Sequence, residues 1–460
     1  MEQTPDSRVK EAILKKKNRH ISKISVIAII IATLLPSSIK GGSEAGALFL
    51  LISPGARAGG MGEAQVAVAN DAYASYWNPA GLAFLEGSEA ALMHVNWLPN
   101  LVSDMYYEFV AFRHHVPTLG TLGGHIIFLN LGEQQRTDEQ GENLGTFTSF
   151  MFAATGSYGA FISRTAAIGL NVKLLHQKLA EIGAGAEEGK GVTTDFAFDI
   201  AYLQKGFFSG RLDLGMTVTN IGPKIAFIDE AQADPMPTNF TLGVNLKLID
   251  GEHNKLNVVA DFDKMLVASY PDMDWDKDGL VGMHDKKGKY VGPSGSYNVK
   301  GKLEKAHTDP IYLGIFTSWI DDWLLGGDID RPGKNGISDG KIGGFTKDES
   351  GKFVPTEAEW GDPSYGKYND AGEVEVGTGK KRSFQNELDE IVLNLGMEYW
   401  YSRYFALRSG YYFDKTGKIH NPTFGVGLRF AGYGFDAGFT LGEPGHPLTN
   451  TMRFSLNIEF

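Results

Sequence analysis

The segment from Asp274 to Asp285 has the residue types and the spacing of a calcium-binding loop. Calcium takes oxygen ligands, and an EF-hand loop supplies them from fixed positions around a glycine at its sixth position. Here carboxylates occupy positions 1, 3, 5 and 12, glycine occupies position 6, and a backbone carbonyl is available at position 7. The candidate ligands are Asp274, Asp276, Asp278, Leu280 and Asp285. Because carboxylates at this spacing repel one another without a cation, the sequence predicts a Ca²⁺ site; the alternative is a solvated acidic turn.

Other signatures of catalysis are missing from the sequence. The chain has no cysteine, which excludes disulfides, thiolate metal sites and a cysteine nucleophile. His114 and His115 are adjacent at the end of a predicted strand. Their side chains point to opposite faces, so we interpret them as interfacial residues rather than ligands of one ion. No Gly-x-Ser-x-Gly, His-Glu-x-x-His or phosphate-binding loop occurs. The sequence therefore favours a protein that is not an enzyme.

The last ten residues, from Thr451 to Phe460, indicate the kind of fold to which the calcium loop belongs. Apolar and polar side chains alternate strictly, so a strand here has one apolar face and one polar face. A helical period of 3.6 residues would mix the two sets. The apolar face consists of Met452, Phe454, Leu456, Ile458 and Phe460. The pattern predicts a strand between lipid and water; the alternative is an ordinary half-buried antiparallel strand.

Similar alternating runs recur along residues 87–267 and 387–460, nine in the first region and five in the second. An even number of strands is typical of single-chain bacterial barrels. The 58 glycines among 460 residues suit a crowded, curved sheet. Residues 46–86 are rich in small side chains and lack a period of two, which predicts packed irregular backbone. The predicted fold class is all-β: a transmembrane antiparallel β-barrel of about 14 strands with an N-terminal plug and a large extracellular insertion.

Residues 1–45 have the features of a secretory signal peptide. Basic residues precede an apolar run from Ile24 to Leu35, and small residues follow. The alternative is an uncleaved anchor helix, and export follows from either interpretation. A formal net charge of −12 makes nucleic acid an unfavourable partner.

The insertion is predicted to span residues 268–386, between the ninth and tenth strands. It is rich in Gly, Asp and Lys, which indicates a polar surface elaboration. Its exception is Pro310 to Trp323, where apolar spacing predicts a short amphipathic helix on the barrel rim, with local packing as the alternative.

Two parts of the sequence resemble one family. The series from Gly55 to Ala64, followed by Tyr76-Trp77-Asn78-Pro79-Ala80-Gly81-Leu82, is similar to the N-terminal signature of the PorV/PorQ family of outer-membrane proteins. The segment Glu398 to Tyr411 and the ending Arg453-Phe454-Ser455-Leu456 resemble the C-terminal half of that family. The Asn-Pro-Ala element is shared with the wider FadL-like transporter group. The resemblance implies that the plug motif formed by Trp77, Asn78, Pro79, Ala80 and Gly81 lies inside the barrel.

The resemblance also implies a function. A PorV-like barrel is expected in the bacterial outer membrane, where it works with the type IX secretion machinery and its cargo proteins, either in export or in surface attachment. The closing strand resembles those that the outer-membrane assembly machinery reads, and its apolar face is expected to contact outer-membrane lipids. The runner-up function is a FadL-like channel for hydrophobic small molecules such as long-chain fatty acids. A barrel-borne lipase would need a Ser–His pair facing lipid, and the sequence indicates none.

Overall fold

The computed structural model describes residues 45–98, 102, 104–137, 143–180, 191–227, 233–270, 297, 302–304, 306–325, 341–347, 353–359, 384–442 and 451–460. The predicted signal peptide, apart from its last residue, and the predicted calcium loop at 274–285 lie outside these residues. Within them, no helix has both the length and the apolar character needed to cross a membrane.

Fourteen strands form a closed barrel in which every neighbouring pair is antiparallel. The predicted strand number is therefore confirmed. The barrel strands are β1 Ser88–Asn96, β2 Tyr106–Val116, β3 Gly120–Thr137, β4 Asn143–Phe161, β5 Ala166–Ala180, β6 Gly191–Gly206, β7 Leu212–Ile221, β8 Asn239–Asp250, β9 Asn254–Met265, β14 Val392–Tyr401, β15 Phe405–Asp414, β16 Ile419–Phe430, β17 Tyr433–Thr440 and β18 Thr451–Glu459. Two small two-stranded sheets pair β10 Ser269–Tyr270 with β11 His307–Thr308, and β12 Lys341–Lys347 with β13 Phe353–Glu359.

Strand β18 closes the barrel against β1, with Leu92 opposite Leu456. Along β18 the polar residues from Thr451 to Asn457 are buried, whereas the apolar residues between them are exposed or half-buried; Met452 is 51% exposed and Phe454 is 44% exposed. The apolar face therefore points outward to the lipid, as the alternation predicts.

The two ends of the barrel differ. At the end that holds Phe460, strands are joined by short turns, such as residues 117–119, 251–253 and 431–432. We call this the short-turn end. The opposite, long-loop end carries longer connections, of which residues 266–391 are the largest. Short periplasmic turns and longer extracellular loops are the usual arrangement in this class.

The described part of the insertion contains helices Ile311–Thr317, Asp321–Leu325 and Phe384–Asp389. The single amphipathic helix expected over Pro310 to Trp323 is thus two helices separated at residues 318–320. Acidic residues in the first turn of the second helix favour a new helix start there, because they complement its dipole. Trp319 makes an edge contact with Phe240 of β8, with ring centroids 5.9 Å apart, so these helices lie against the barrel rim.

Residues 45–86 run through the barrel interior in short helical turns, at Leu48–Leu51, Ala56–Gly59, Ala74–Trp77 and Pro79–Phe84. Another turn, Phe207–Gly210, joins β6 to β7. The interior segment approaches the wall so closely that only glycine fits at some wall positions. A Cβ at Gly410 would lie 2.2 Å from the backbone nitrogen of Gly62, and one at Gly169 would lie 2.1 Å from that of Ala80. This close backbone packing accounts for part of the glycine content.

Candidate functional site

The residues of the predicted plug motif are buried in the described structure. Asn78 is fully buried, and its side chain accepts a hydrogen bond from the Ala80 amide at 3.1 Å. The same side chain donates to the carbonyls of Val66 at 2.9 Å and of Tyr202 on β6 at 3.1 Å. It therefore caps the Pro79–Phe84 turn, and it also joins that turn to the rest of the plug and to the wall.

Other residues of the motif also stabilise the Pro79–Phe84 turn and its surroundings. Pro79 occupies the first position of the turn, where its missing amide costs nothing and its φ angle is already suitable. Trp77 donates from Nε1 to the Pro54 carbonyl over 3.1 Å, which joins two separate parts of the plug. A Cβ at Gly81 would lie 2.2 Å from the Ala69 carbonyl oxygen, so a larger residue does not fit. The motif is a structural element of the plug rather than a catalytic one.

Arg57 makes the main ionic contact between plug and wall. Its guanidinium donates to both carboxylate oxygens of Glu398 on β14, at 2.8 Å each, and to Asp71 within the plug at 3.0 Å. Glu398 also accepts from Arg408 on β15 at 2.8 Å, and Arg408 continues to Asp436 on β17 at 2.8 Å. All five side chains are buried. This chain of buried ion pairs, which we call the Arg57 network, fixes one side of the plug to three wall strands.

The plug has further polar contacts with other parts of the wall. Glu63 accepts from Arg453 on β18 at 2.7 Å. Asp261 on β9 accepts from the amides of Gln65 at 2.7 Å and of Val66 at 2.9 Å. Each of these groups is held where water is scarce. If one partner is removed, the other is neither paired nor hydrated, and this destabilises the folded protein.

The plug divides the barrel interior. A cavity of about 350 Å³ opens toward the long-loop end and is lined by both apolar and charged side chains, among them Leu50, Trp77, Met265, Glu63, Lys173 and Asp263. A second cavity of about 540 Å³ lies toward the short-turn end, and its lining includes Arg57, Ala67, Asp71, Asp213, Lys247 and Glu398. The consecutive plug residues Val66 and Ala67 line different cavities. The plug segment at Val66 and Ala67 therefore lies between the two cavities.

Two Ser–His contacts escaped the sequence analysis because their members are distant in sequence. Ser75 of the plug lies 3.1 Å from Nδ1 of His125 on β3, and both residues are buried. Ser88 lies 2.7 Å from Nδ1 of His114, and both are on the outward parity of their strands. His115 instead contacts Thr121, so the two adjacent histidines have separate partners. In neither Ser–His pair does the described structure record a carboxylate on the other ring nitrogen, as a catalytic triad requires.

The family model for the type IX secretion system protein PorV matches residues 42–272, which is half of the chain. The chain belongs to the PorV family. It is an outer-membrane β-barrel component of type IX secretion, and the match covers the plug and the first nine barrel strands.

Solved structures with a similar course of the chain include two described as toluene transporters and one described as a FadL homologue. The toluene transporter TbuX of Ralstonia pickettii is 11% identical, with 90% of this chain and 100% of that chain covered and a TM-score of 0.46. The Pseudomonas putida toluene transporter TodX is also 11% identical, with 88% and 96% covered and a TM-score of 0.43. A FadL homologue from Pseudomonas aeruginosa is 9% identical, with 88% and 98% covered and a TM-score of 0.41. A search of curated protein sequences found no match.

The five C-terminal residues predicted as an assembly signal all occupy the outward face of β18 or its end, where Phe460 is 73% exposed. Their recognition by assembly machinery remains a prediction. The same holds for the calcium ligands at 274–285, which lie outside the described residues of this PorV-family chain.

Proposed function

We propose that this PorV-family barrel serves type IX secretion as a closed, non-enzymatic platform. Secreted cargo and the secretion machinery would contact its long-loop end, in export or in surface attachment, and would not pass through its lumen. The observation that supports this proposal is the plug, which the Arg57 network and Asn78 hold across the barrel. The outward apolar faces would contact outer-membrane lipids.

The charge of the interior favours a closed state. To open a path, the plug must leave Glu398, Arg453 and Asp261, each of which is buried on the wall and bound to a plug group. Breaking a buried ion pair costs on the order of 3 to 5 kcal/mol. Several such contacts make a spontaneous shift of the plug a rare event.

The runner-up function, a channel for hydrophobic small molecules, requires the plug to move and requires an apolar pocket between plug and wall. The cavity at the long-loop end has apolar side chains such as Leu50, but Glu63, Lys173 and Asp263 line the same space. A fatty acyl chain in this space would lie against those charged groups, which a uniformly apolar pocket would not impose. These charged groups support the platform over the channel.

Locking the plug in place distinguishes the two functions. The chain has no cysteine, so an introduced pair is the sole pair able to form a disulfide. The Ala56 amide donates to the Ser455 hydroxyl over 2.7 Å, which makes Ala56→Cys with Ser455→Cys a suitable pair between plug and β18. Formation of the disulfide is verified by gel mobility, and each single variant serves as a control.

A deletion strain is then complemented with the locked or the unlocked protein. Deletion should leave cargo in the periplasm, while uptake of long-chain fatty acids continues. The oxidised protein should restore secretion as fully as the reduced protein does. Loss of secretion on oxidation, with recovery on reduction, would mean that the plug must move. A deletion strain that secretes normally but fails to take up fatty acids would support the channel.

A further inference from the structure

Three acidic side chains converge at the long-loop end, outside the plug and its network. They are Asp321 at the start of helix Asp321–Leu325, Glu387 in helix Phe384–Asp389, and Glu390 just before β14. Each offers a carboxylate oxygen, and these oxygens all lie within 4.8 Å of one another. We call this group the rim cluster. It joins a helix from the middle of the insertion to the residues that lead into β14.

Lys264, near the end of β9, is the ammonium recorded beside the rim cluster among the described residues. It pairs with Glu390 and lies 3.6 Å from Oε2 of Glu387. The side chains of Lys264 and Glu387 are each only 3% exposed, so solvent does little to screen the carboxylates. A divalent cation would add positive charge where the three carboxylates meet.

A second observation concerns hydrogen bonding. Asp321 is 6% exposed, and its Oδ1 is buried without a hydrogen-bond partner among the described residues. Oε2 of Glu387 is likewise buried with no hydrogen bond there, although Oε1 accepts from the Trp323 amide at 2.9 Å. Buried carboxylate oxygens are normally satisfied, and an oxygen with no donor is available to a cation.

The electrostatics agree with this geometry. Burial, followed by repulsion from Glu390, raises the pKa of Asp321 to about 8. Burial also raises the pKa of Glu387. A bound cation would favour the ionised forms of both acids.

We propose that Asp321, Glu387 and Glu390 bind a divalent cation of the calcium class at the barrel rim. Oxygen-only donors suit calcium or magnesium rather than zinc or copper. Two oxygens bound to one calcium at roughly 2.3 to 2.6 Å lie up to about 5 Å apart, which accommodates the observed spacing. Water would complete the coordination. The bound ion would hold the two insertion helices against the barrel, at the end where partners are proposed to dock.

The test uses the full-length protein in detergent and calcium as the probe. The predicted loop at 274–285 is removed as a competing site with Asp274→Ala and Asp278→Ala. In that background, calorimetric titration should still detect calcium binding. Adding Asp321→Asn or Glu387→Gln should weaken it by at least about tenfold, because calcium affinity follows the number of charged ligands.

Two further variants separate binding from folding. Asp389→Asn removes a carboxylate from the same helix as Glu387, but Asp389 pairs with Lys415, 2.7 Å away, so calcium affinity should not change. Lys264→Met removes the competing ammonium and should tighten calcium binding, an effect that damage to the fold would not produce. Heat modifiability on gels verifies each barrel. Unchanged affinity in Asp321→Asn and Glu387→Gln, or no calcium heat in the loop-deficient background, would overturn the proposal.

Discussion

Replacing Arg57 with Met should loosen the plug without unfolding the barrel. Met has a similar length but cannot donate the two hydrogen bonds to Glu398 or the one to Asp71. Glu398 keeps its contact with Arg408, and Asp71 keeps its bond from the Tyr73 amide, so neither carboxylate is left wholly unpaired. We therefore expect the free energy that holds the plug in place to fall by about 3 kcal/mol, the lower end of the range for a broken buried ion pair.

A change of about 3 kcal/mol corresponds to roughly a hundredfold rise in the population of the displaced plug. Hydrogen exchange read by mass spectrometry measures that population directly, because protection of the plug amides falls by the same factor. Peptides from residues 54–85 should lose protection, whereas peptides from the barrel strands should not. Protection of the plug amides in Arg57→Lys should lie between that of Arg57→Met and that of the parent protein, because lysine keeps the charge but not the two-point contact with Glu398.

Arg403→Met is the matched control. Arg403 lies in the short turn between β14 and β15, and its guanidinium contacts the neighbouring Tyr404. This variant should leave plug protection unchanged. Equal plug protection in Arg57→Met and the parent protein would refute the claim that the Arg57 network holds the plug. Loss of protection throughout the barrel would show that the network supports the wall instead.

The remaining predictions concern the closing strand and the insertion. Leu456→Asp should prevent formation of the heat-modifiable barrel, because a charge facing lipid costs on the order of 2 to 4 kcal/mol at the midplane; normal assembly of this variant would refute the face assignment. Asn457→Asp looks harmless from the sequence, but Asn457 donates to buried Glu89 over 2.8 Å, so we expect it to lower barrel stability in denaturant titrations, with Leu456→Met as the silent control. Calcium should protect the insertion from proteases through the predicted loop, and Asp274→Ala or Asp278→Ala should abolish that part of the protection; identical cleavage in every sample would leave only a solvated acidic turn.

The sequence by itself determined the barrel. Alternation along a strand depends only on neighbouring residues, so the outward face of Met452, Phe454 and Leu456 and the number of strands could be read from the local pattern. The plug was likewise predictable, because its small residues lack a period of two and resemble a known family. The short helix break at 318–320 was not predicted, since the apolar spacing continues across it.

Only the tertiary structure decided which polar side chains meet. Arg57 and Glu398 are 341 positions apart, and Lys264 and Glu390 are 126 apart. Such pairs depend on the register between strands all around the closed barrel and on the path of the plug through it, neither of which local patterns encode. The alternation shows which residues face inward but not which partners they meet. Closure of the barrel around the plug buried them together, and burial makes each partner matter because an unpaired charge cannot be hydrated there.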